Sequence, residues 1–415
     1  MKTVSEAIKT VLEHINPCGT EEVSIFDSAG RVLAEDVYSN RDHPPYDVSA
    51  MDGYAVRSED IKDASKEHPA VLRIVEDIMA GSMPQKTIQT GEAARIMTGA
   101  PVPQGADTVV RVEDTDTDGT VVKIFTPSSR GTDIRRKGEN LREGETVLHR
   151  GMDIKPAEVG ILAMVKKKTV RVGRKPVVAV LSTGDELEGL DEEFDPLKIP
   201  DANSYTLMAQ LALTGAEPKL IGIARDRKDE LRDKLLQALR CDAVVVSGGV
   251  SVGHHDFVKE TIKELGIDMK FWRVAIRPGH PFAFGISQEG TPLFALPGNP
   301  VSTLVCFEVF VVPAIRKMLG AKRLFRKAIK VTVGGMVKDK KGRTNFMRVR
   351  IENTPKGTVA RLTGRQGSGI LMNVVGADAL LIVPEEYDRL EDGDSAVCQL
   401  LCVQSFQERP AVSEV

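Results

Sequence analysis

At 415 residues the chain exceeds what one hydrophobic core usually supports, so three or four domains are expected. A formal net charge of −3 offers no surface for neutralising nucleic-acid phosphates, and cationic residues that matter must gather locally around a small anion. Five cysteines, at 18, 241, 306, 398 and 402, form no CxxC pair, which disfavours a disulfide framework and a zinc ribbon and suits a reducing cytoplasm.

Along the chain, Val4, Ala7, Ile8, Val11, Leu12 and Ile15 repeat at helical spacing, with a Thr3/Glu6 capping-box pattern before them and Asn16-Pro17 after. This charged, amphipathic start does not fit a signal peptide. Short alternating runs near 71–74, 94–97, 108–110 and 121–124 predict a small β-domain, and Lys155-Pro156 opens a second helix to about 165. Continuous apolar runs at 177–181 and 243–246 suit buried parallel strands. Helices are predicted near 204–213, capped by Asn203, then near 228–239, 257–265 and 301–319, the last kinked at Pro313. Strands also fall at 219–223 and 292–296, so this block is predicted to be a doubly wound α/β domain. Short strands return from 328 to 403, and the tail after Phe406 is expected to fray. The longest apolar stretch, 301–315, carries Glu308 and is too short for a bilayer, so no membrane association is expected.

Ligands of open parallel sheets sit at the carboxyl ends of the strands. Four loops follow predicted strands directly: Ser182-Thr183-Gly184-Asp185-Glu186, Ala224-Arg225-Asp226, Ser247-Gly248-Gly249-Val250-Ser251-Val252-Gly253 and Pro297-Gly298-Asn299-Pro300. They are expected to line one edge and one pocket. The third loop is rich in glycine and serine and leads into a helix, a junction at which backbone N–H groups cradle phosphate. A plain tight turn is equally compatible with that pattern. The loop lacks the ending of a Walker A motif and the spacing of a dinucleotide fingerprint.

Glu186, Asp226 and Asp256 each close one of these loops, and converging carboxylates beside a phosphate loop suggest magnesium. For Asp226 or Asp256 taken singly, helix capping is the commoner role. Arg273 and Arg277, four apart on a presumed strand, would share one face and suit an oxyanion, although a solvated strand face is the simpler reading. His254-His255 has no partner at zinc spacing, and no nucleophile elbow is present, so zinc and covalent catalysis are disfavoured.

With these loops laid out, the sequence resembles the MoeA family, whose members include the gephyrin E-domain. The resemblance covers nearly the whole chain. It rests on residues 45–56 (PYDVSAMDGYAV), 95–103 (RIMTGAPVP) and 134–139 (IRRKGE), the four strand-end loops and Gln366-Gly367-Ser368. It implies four parts: a split N-terminal domain (1–42 and 145–172), a β-domain (43–144), the α/β molybdopterin-binding domain (173–325) and a C-terminal β-domain (326–405). It also implies a homodimer whose site lies between the α/β and C-terminal domains of one protomer and is completed by the partner's β-domain. Asp52 and Thr98 thereby become site candidates, although Asp52-Gly53 alone reads as a hairpin turn.

The implied reaction is magnesium-dependent cleavage of adenylyl-molybdopterin with insertion of molybdate into the dithiolene, releasing AMP. Gly248, Gly249 and Ser251 would bind the pyrophosphate with Ser182, Thr183, Gly184 and Ser247 around them. Glu186, Asp226 and Asp256 would hold the cation. Arg273, Arg277, Arg348 and Ser368, with the Pro297–Pro300 turn, would take the oxyanion; tungstate is a close substitute in size and charge. Arg348 would otherwise be a routine exposed strand arginine. His280 stands where many relatives carry lysine, which would make anion binding more sensitive to pH near neutrality. Asn140, acidic in some relatives, is left out of the metal set. Two rivals stay open, the preceding adenylyltransferase step and a gephyrin-like scaffold without catalysis. Other proteins of cofactor biosynthesis are conceivable partners.

Overall fold

The structure, a computed structural model, describes residues 1–249, 257–355 and 357–401. Ser251, Asp256, the histidine pair 254–255 and the tail after Phe406 lie outside these residues. The chain divides into two compact units, one of Met1–Glu35, Gly151–Lys155 and the chain from Thr169 onward, the other of Asp36–Arg150 and Pro156–Lys168.

In the first unit the opening helix, Val4–Glu13, carries the full capping box, with Thr3 Oγ1 accepting from the Glu6 N–H and the Glu6 carboxylate accepting from the Thr3 N–H. Thr20–Ser24 pairs antiparallel with Thr169–Gly173, so the chain returns beside its beginning there. The α/β sheet runs Glu217–Ala224, Val177–Thr183, Ala243–Ser247, Pro292–Leu296, Ala283–Ile286, Asp268–Phe271. The first four strands are parallel, as their continuous apolar sequences require, with both faces covered. The last two are antiparallel additions at one edge, which the sequence reading did not anticipate. One face packs on a core containing Phe282, Phe294 and Phe310, the other on one built around Leu181, Leu231 and Val246.

Helix boundaries differ from expectation in two instructive places. The helix Ala202–Thr214 is capped by Asp201, whose carboxylate accepts from the Ser204 N–H, rather than by Asn203. The long helix expected from 301 is Pro300–Cys306, a π-helical turn Phe307–Val311, then Val312–Met318 with Pro313 in its first turn. The wider turn lets Pro313, which has no N–H, follow without breaking the run.

From Ala328 the strands Thr344–Thr354, Gly357–Leu362, Ala328–Val333, Ser395–Leu400 and Ala379–Val383 pair in that order, and the last pairs back onto the first. The sheet closes into a small barrel, which leaves those strands no open edge. Ile276–Arg277, from the α/β part, joins it parallel to the start of Thr344–Thr354. Arg273 and Arg277 therefore do not share one strand: Asp268–Phe271 has ended before Arg273, and Val274 and Ala275 are buried between them.

The second unit holds a six-stranded sheet in the order Thr108–Arg111, Gly53–Val56, Glu92–Ile96, Ala70–Ile78, Val121–Ile124, Thr115–Thr117, with an apolar cluster on each face. The helix Pro156–Met164 belongs to this unit. Gly53 is no hairpin turn. It lies inside the sheet, where an added Cβ would stand 2.0 Å from the Val110 carbonyl oxygen, so glycine is required by close approach of the backbone.

Candidate active site

The four parallel strands deliver their loops to one edge of the sheet. Three of those loops line a cavity of about 600 Å³, contributing Thr183 and Glu186, Ser247, Gly248 and Gly249, and the turn Pro297–Pro300. Gly248 and Gly249 adopt φ of +92° and +66°. A Cβ at Gly249 would stand 2.2 Å from Val258 Cγ2 and 2.8 Å from Thr183 Oγ1, so a side chain would fill the cradle. Thr183 Oγ1 is buried and, among the described residues, has no hydrogen-bond partner. An orphaned hydroxyl against a bare glycine backbone is what a phosphate oxygen would satisfy.

Ser182, one residue earlier, faces away, as strand alternation dictates. It is fully buried, and its hydroxyl donates to Asp201 Oδ1 at 3.0 Å, so the structure does not bring Ser182 to the cavity. Asn203 does reach it. Its amide donates to Ser247 Oγ at 2.8 Å and to the Gly298 carbonyl at 2.7 Å, tying two site loops together. The capping preference of asparagine concealed this role in the sequence.

The second loop divides. Arg225 turns aside to the Leu187 carbonyl and to Glu192, lining a neighbouring cavity. The Asp226 N–H donates to Asp185 Oδ1 at 3.0 Å, while Arg227 takes the cap position of Lys228–Ala238, so Asp226 is not a helix cap. Burial, then the charges of Asp185 and Glu186, push the Asp226 carboxyl above its ordinary range. Asp185 was missed although it sits inside the Ser182–Glu186 motif. Gly184, at φ +143°, permits the Glu186 carboxylate to fold back over it. Among the described residues no three carboxylates make a complete cation cage. Magnesium asks for less, commonly one or two carboxylates plus substrate phosphates, and this mutually repelling set beside the glycine cradle fits that need.

On the other wall, Ser368 Oγ accepts from the Asn299 amide at 3.2 Å, and the Val301 N–H donates to the Ser368 carbonyl at 3.1 Å. This docks the barrel loop 366–369 on the Pro297–Pro300 turn. Behind it lies Arg348, fully buried rather than exposed. Its guanidinium makes only long bonds to the carbonyls of Phe346 (3.4 Å) and Gly367 (3.3 Å), and its Nε has no partner among the described residues. No carboxylate pairs with it there, and burial draws its pKa down to about 10. Arg277, by contrast, is ion-paired with Asp339, a side chain only 1% exposed that also accepts from Asn345 at 3.0 Å. Asp339 sits in a charged turn, and nothing in the sequence marked it. Arg273 lines a different cavity, with Lys2 and Arg343.

Asp52 and Thr98 meet in the second unit, where the Thr98 N–H and hydroxyl both donate to Asp52 Oδ1 at 2.7 Å. These bonds hold the Asp52 carboxyl below its usual range.

Three family models match in chain order: the MoeA N-terminal region (domain I and II) over residues 2–165, a probable molybdopterin binding domain over 179–317, and the MoeA C-terminal region (domain IV) over 330–401. A molybdopterin molybdenumtransferase of Staphylococcus epidermidis is 33% identical, covering 98% of this chain and 97% of its own. Molybdopterin molybdenumtransferase 2 of Mycobacterium tuberculosis is 36% identical over 93% of this chain and 96% of its own. The crystal structure of the molybdopterin biosynthesis moeA protein from Pyrococcus horikoshii superposes with a TM-score of 0.84 at 31% identity, covering 96% of this chain and all of that one. With the strand-end loops, the closed barrel and the full-length matches in agreement, the chain belongs to the MoeA family of molybdopterin molybdenumtransferases.

Proposed function

We propose that this chain cleaves adenylyl-molybdopterin and places molybdate at the dithiolene, releasing AMP, with magnesium required. The observation that carries the reading is Arg348, a buried cation without a counter-charge among the described residues, linked through Gly367, Ser368 and Asn299 to the glycine-lined cavity. A desolvated, unpaired guanidinium has the chemistry of an oxyanion receptor. The Gly248 and Gly249 backbone and the Thr183 hydroxyl, without a partner among the described residues, suit the pyrophosphate. Asp226 and Glu186, with Asp256 and Ser251 from the same loop sequence, complete the assignment. Asp226 and Glu186 would hold magnesium, which would supply charge neutralisation for the phosphoanhydride. Asn203 and Ser247 hold the two loops in place, and no protein nucleophile is assigned. Arg277 is placed at the oxyanion wall with its charge moderated by Asp339; Arg273 is left out of the set.

The four-part division into 1–42 with 145–172, 43–144, 173–325 and 326–405 belongs to the same proposal. So do the homodimer, a role for Asp52 and Thr98 in the partner's reaction, and a cytoplasmic location. Among the described residues no helix is long and apolar enough to cross a membrane.

The test is AMP release from adenylyl-molybdopterin with magnesium, with and without molybdate or tungstate. Release that depends on one oxyanion supports the insertase reading and names the metal. No release under any condition turns the reading to a scaffold, and ATP-dependent adenylation of molybdopterin turns it to the preceding step.

A further inference from the structure

A second cavity, of about 590 Å³, shares no residue with the glycine-lined one. Three distant chain segments build it, and their backbones are stitched together. Lys2 bridges Val274, the Ala275 N–H donates to the Lys2 carbonyl at 2.8 Å, and the Thr344 N–H donates to the Ala275 carbonyl at 2.9 Å. These bonds, rather than any side-chain contact, bring Lys2, Arg273 and Arg343 to one cavity. Among the described residues no carboxylate lies within ion-pairing distance of any of the three. Lys270, also in the lining, is paired with Asp268 at 2.5 Å.

Three unpaired cations around one concavity repel one another and raise the local concentration of anions. Among the described residues no acidic side chain lines the space, so amines and metal cations are disfavoured. Part of the wall is aromatic. Phe271 is buried, and Trp272 is half-buried with Lys259 Nζ 5.6 Å from its ring centre. The volume falls within the roughly 300–1,000 Å³ of small-molecule sites.

We propose that this cavity binds a small organic phosphate, its phosphate held by Lys2, Arg273 and Arg343 and its organic body against Phe271 and Trp272. This does not rest on the reaction proposed above, which uses none of these residues. Trp272 is the chain's single tryptophan, so its emission reports directly on the site. Uridine 5′-phosphate and inorganic phosphate serve as probes.

A saturable change in Trp272 emission is expected with uridine 5′-phosphate, with inorganic phosphate weaker by ~10-fold or more. Arg343→Glu should raise the Kd by ~10-fold or more while leaving molybdate-dependent AMP release unchanged. Lys2→Glu provides the same reading should Arg343→Glu fail to fold. No saturable change, or unaltered titrations in both variants, overturns the proposal. A titration abolished by Gly249→Ala and insensitive to Arg343→Glu overturns it too, by assigning the signal to the glycine-lined cavity. Equal affinity for inorganic phosphate overturns the organic body. Titration without any AMP release in the unaltered protein supports this site while the insertase reading fails.

Discussion

Arg348 is buried and, among the described residues, has no carboxylate beside it, in an interior where an uncompensated charge is costly. Removing that charge should relieve the folded protein even as it removes the proposed oxyanion receptor. Arg348→Met is expected to be neutral to about 2 kcal/mol more stable in urea unfolding, with molybdate-dependent AMP release lost; a clearly less stable variant would mean that the cation is internally compensated. The sign in pH follows from the lowered guanidinium: the folded state gives up this proton more readily than the unfolded chain, so its penalty is present below about pH 10 and is relieved as pH rises through that value. Asp226 shifts the other way. Its raised carboxyl means that the folded state holds this proton more readily, so ionising it costs stability as pH rises through its titration. Asp226→Asn should raise the melting temperature of the metal-free protein at pH 7, lose that advantage in acid, and abolish magnesium-dependent AMP release. Unchanged turnover in Asp226→Asn would remove the carboxylate from the metal assignment.

At the scale of elements, one short segment performs two tasks. Asp201 caps Ala202–Thr214 and accepts from Ser182, while Asn203, in the first turn of the same helix, bridges the Ser247 and Gly298 loops. Asp201→Ala should cost about 1 kcal/mol for the lost cap, and little more at Ser182, whose hydroxyl keeps Ser204 Oγ at 2.9 Å. Asn203→Ala should change stability less and weaken substrate binding more, seen as a raised KM for adenylyl-molybdopterin. Equal KM in the two variants would assign Asn203 a purely structural role. Gly249→Ala combines a strained φ with a clash against Val258, so a loss of about 1–3 kcal/mol is expected from denaturant unfolding.

For the whole molecule, the proposed oxyanion wall joins loops of the α/β sheet to a loop of the closed barrel through Ser368 and Asn299. A ligand that bridges them should stabilise the folded chain by mass action. At 100 times its Kd, molybdate or tungstate should contribute about 2.7 kcal/mol, visible as a rise in melting temperature that Arg348→Met lacks. The homodimer proposal makes its own prediction. Inactive Asp52→Ala and Asp226→Ala chains, unfolded and refolded together, should recover part of the activity if one site draws on two protomers, and none if each chain works alone.

The sequence by itself determined the alternation of apolar strands with amphipathic helices and the positions of the four strand-end loops, and it left the glycine loop open between a phosphate cradle and a plain turn, because each depends on local spacing and on backbone freedom within a few residues. It also determined the family, through long ordered motifs. Only the tertiary structure decided that Arg348 is buried and has no carboxylate partner among the described residues, that Arg277 is answered by Asp339, that Asn203 lines the cavity and that Arg273 stands in a separate cavity with Lys2 and Arg343. Those outcomes depend on which strands close the barrel and on where residues 2, 274 and 344 meet, contacts between positions from tens of residues to more than two hundred apart. Burial and charge pairing are properties of such meetings, and no local pattern of residue types encodes them.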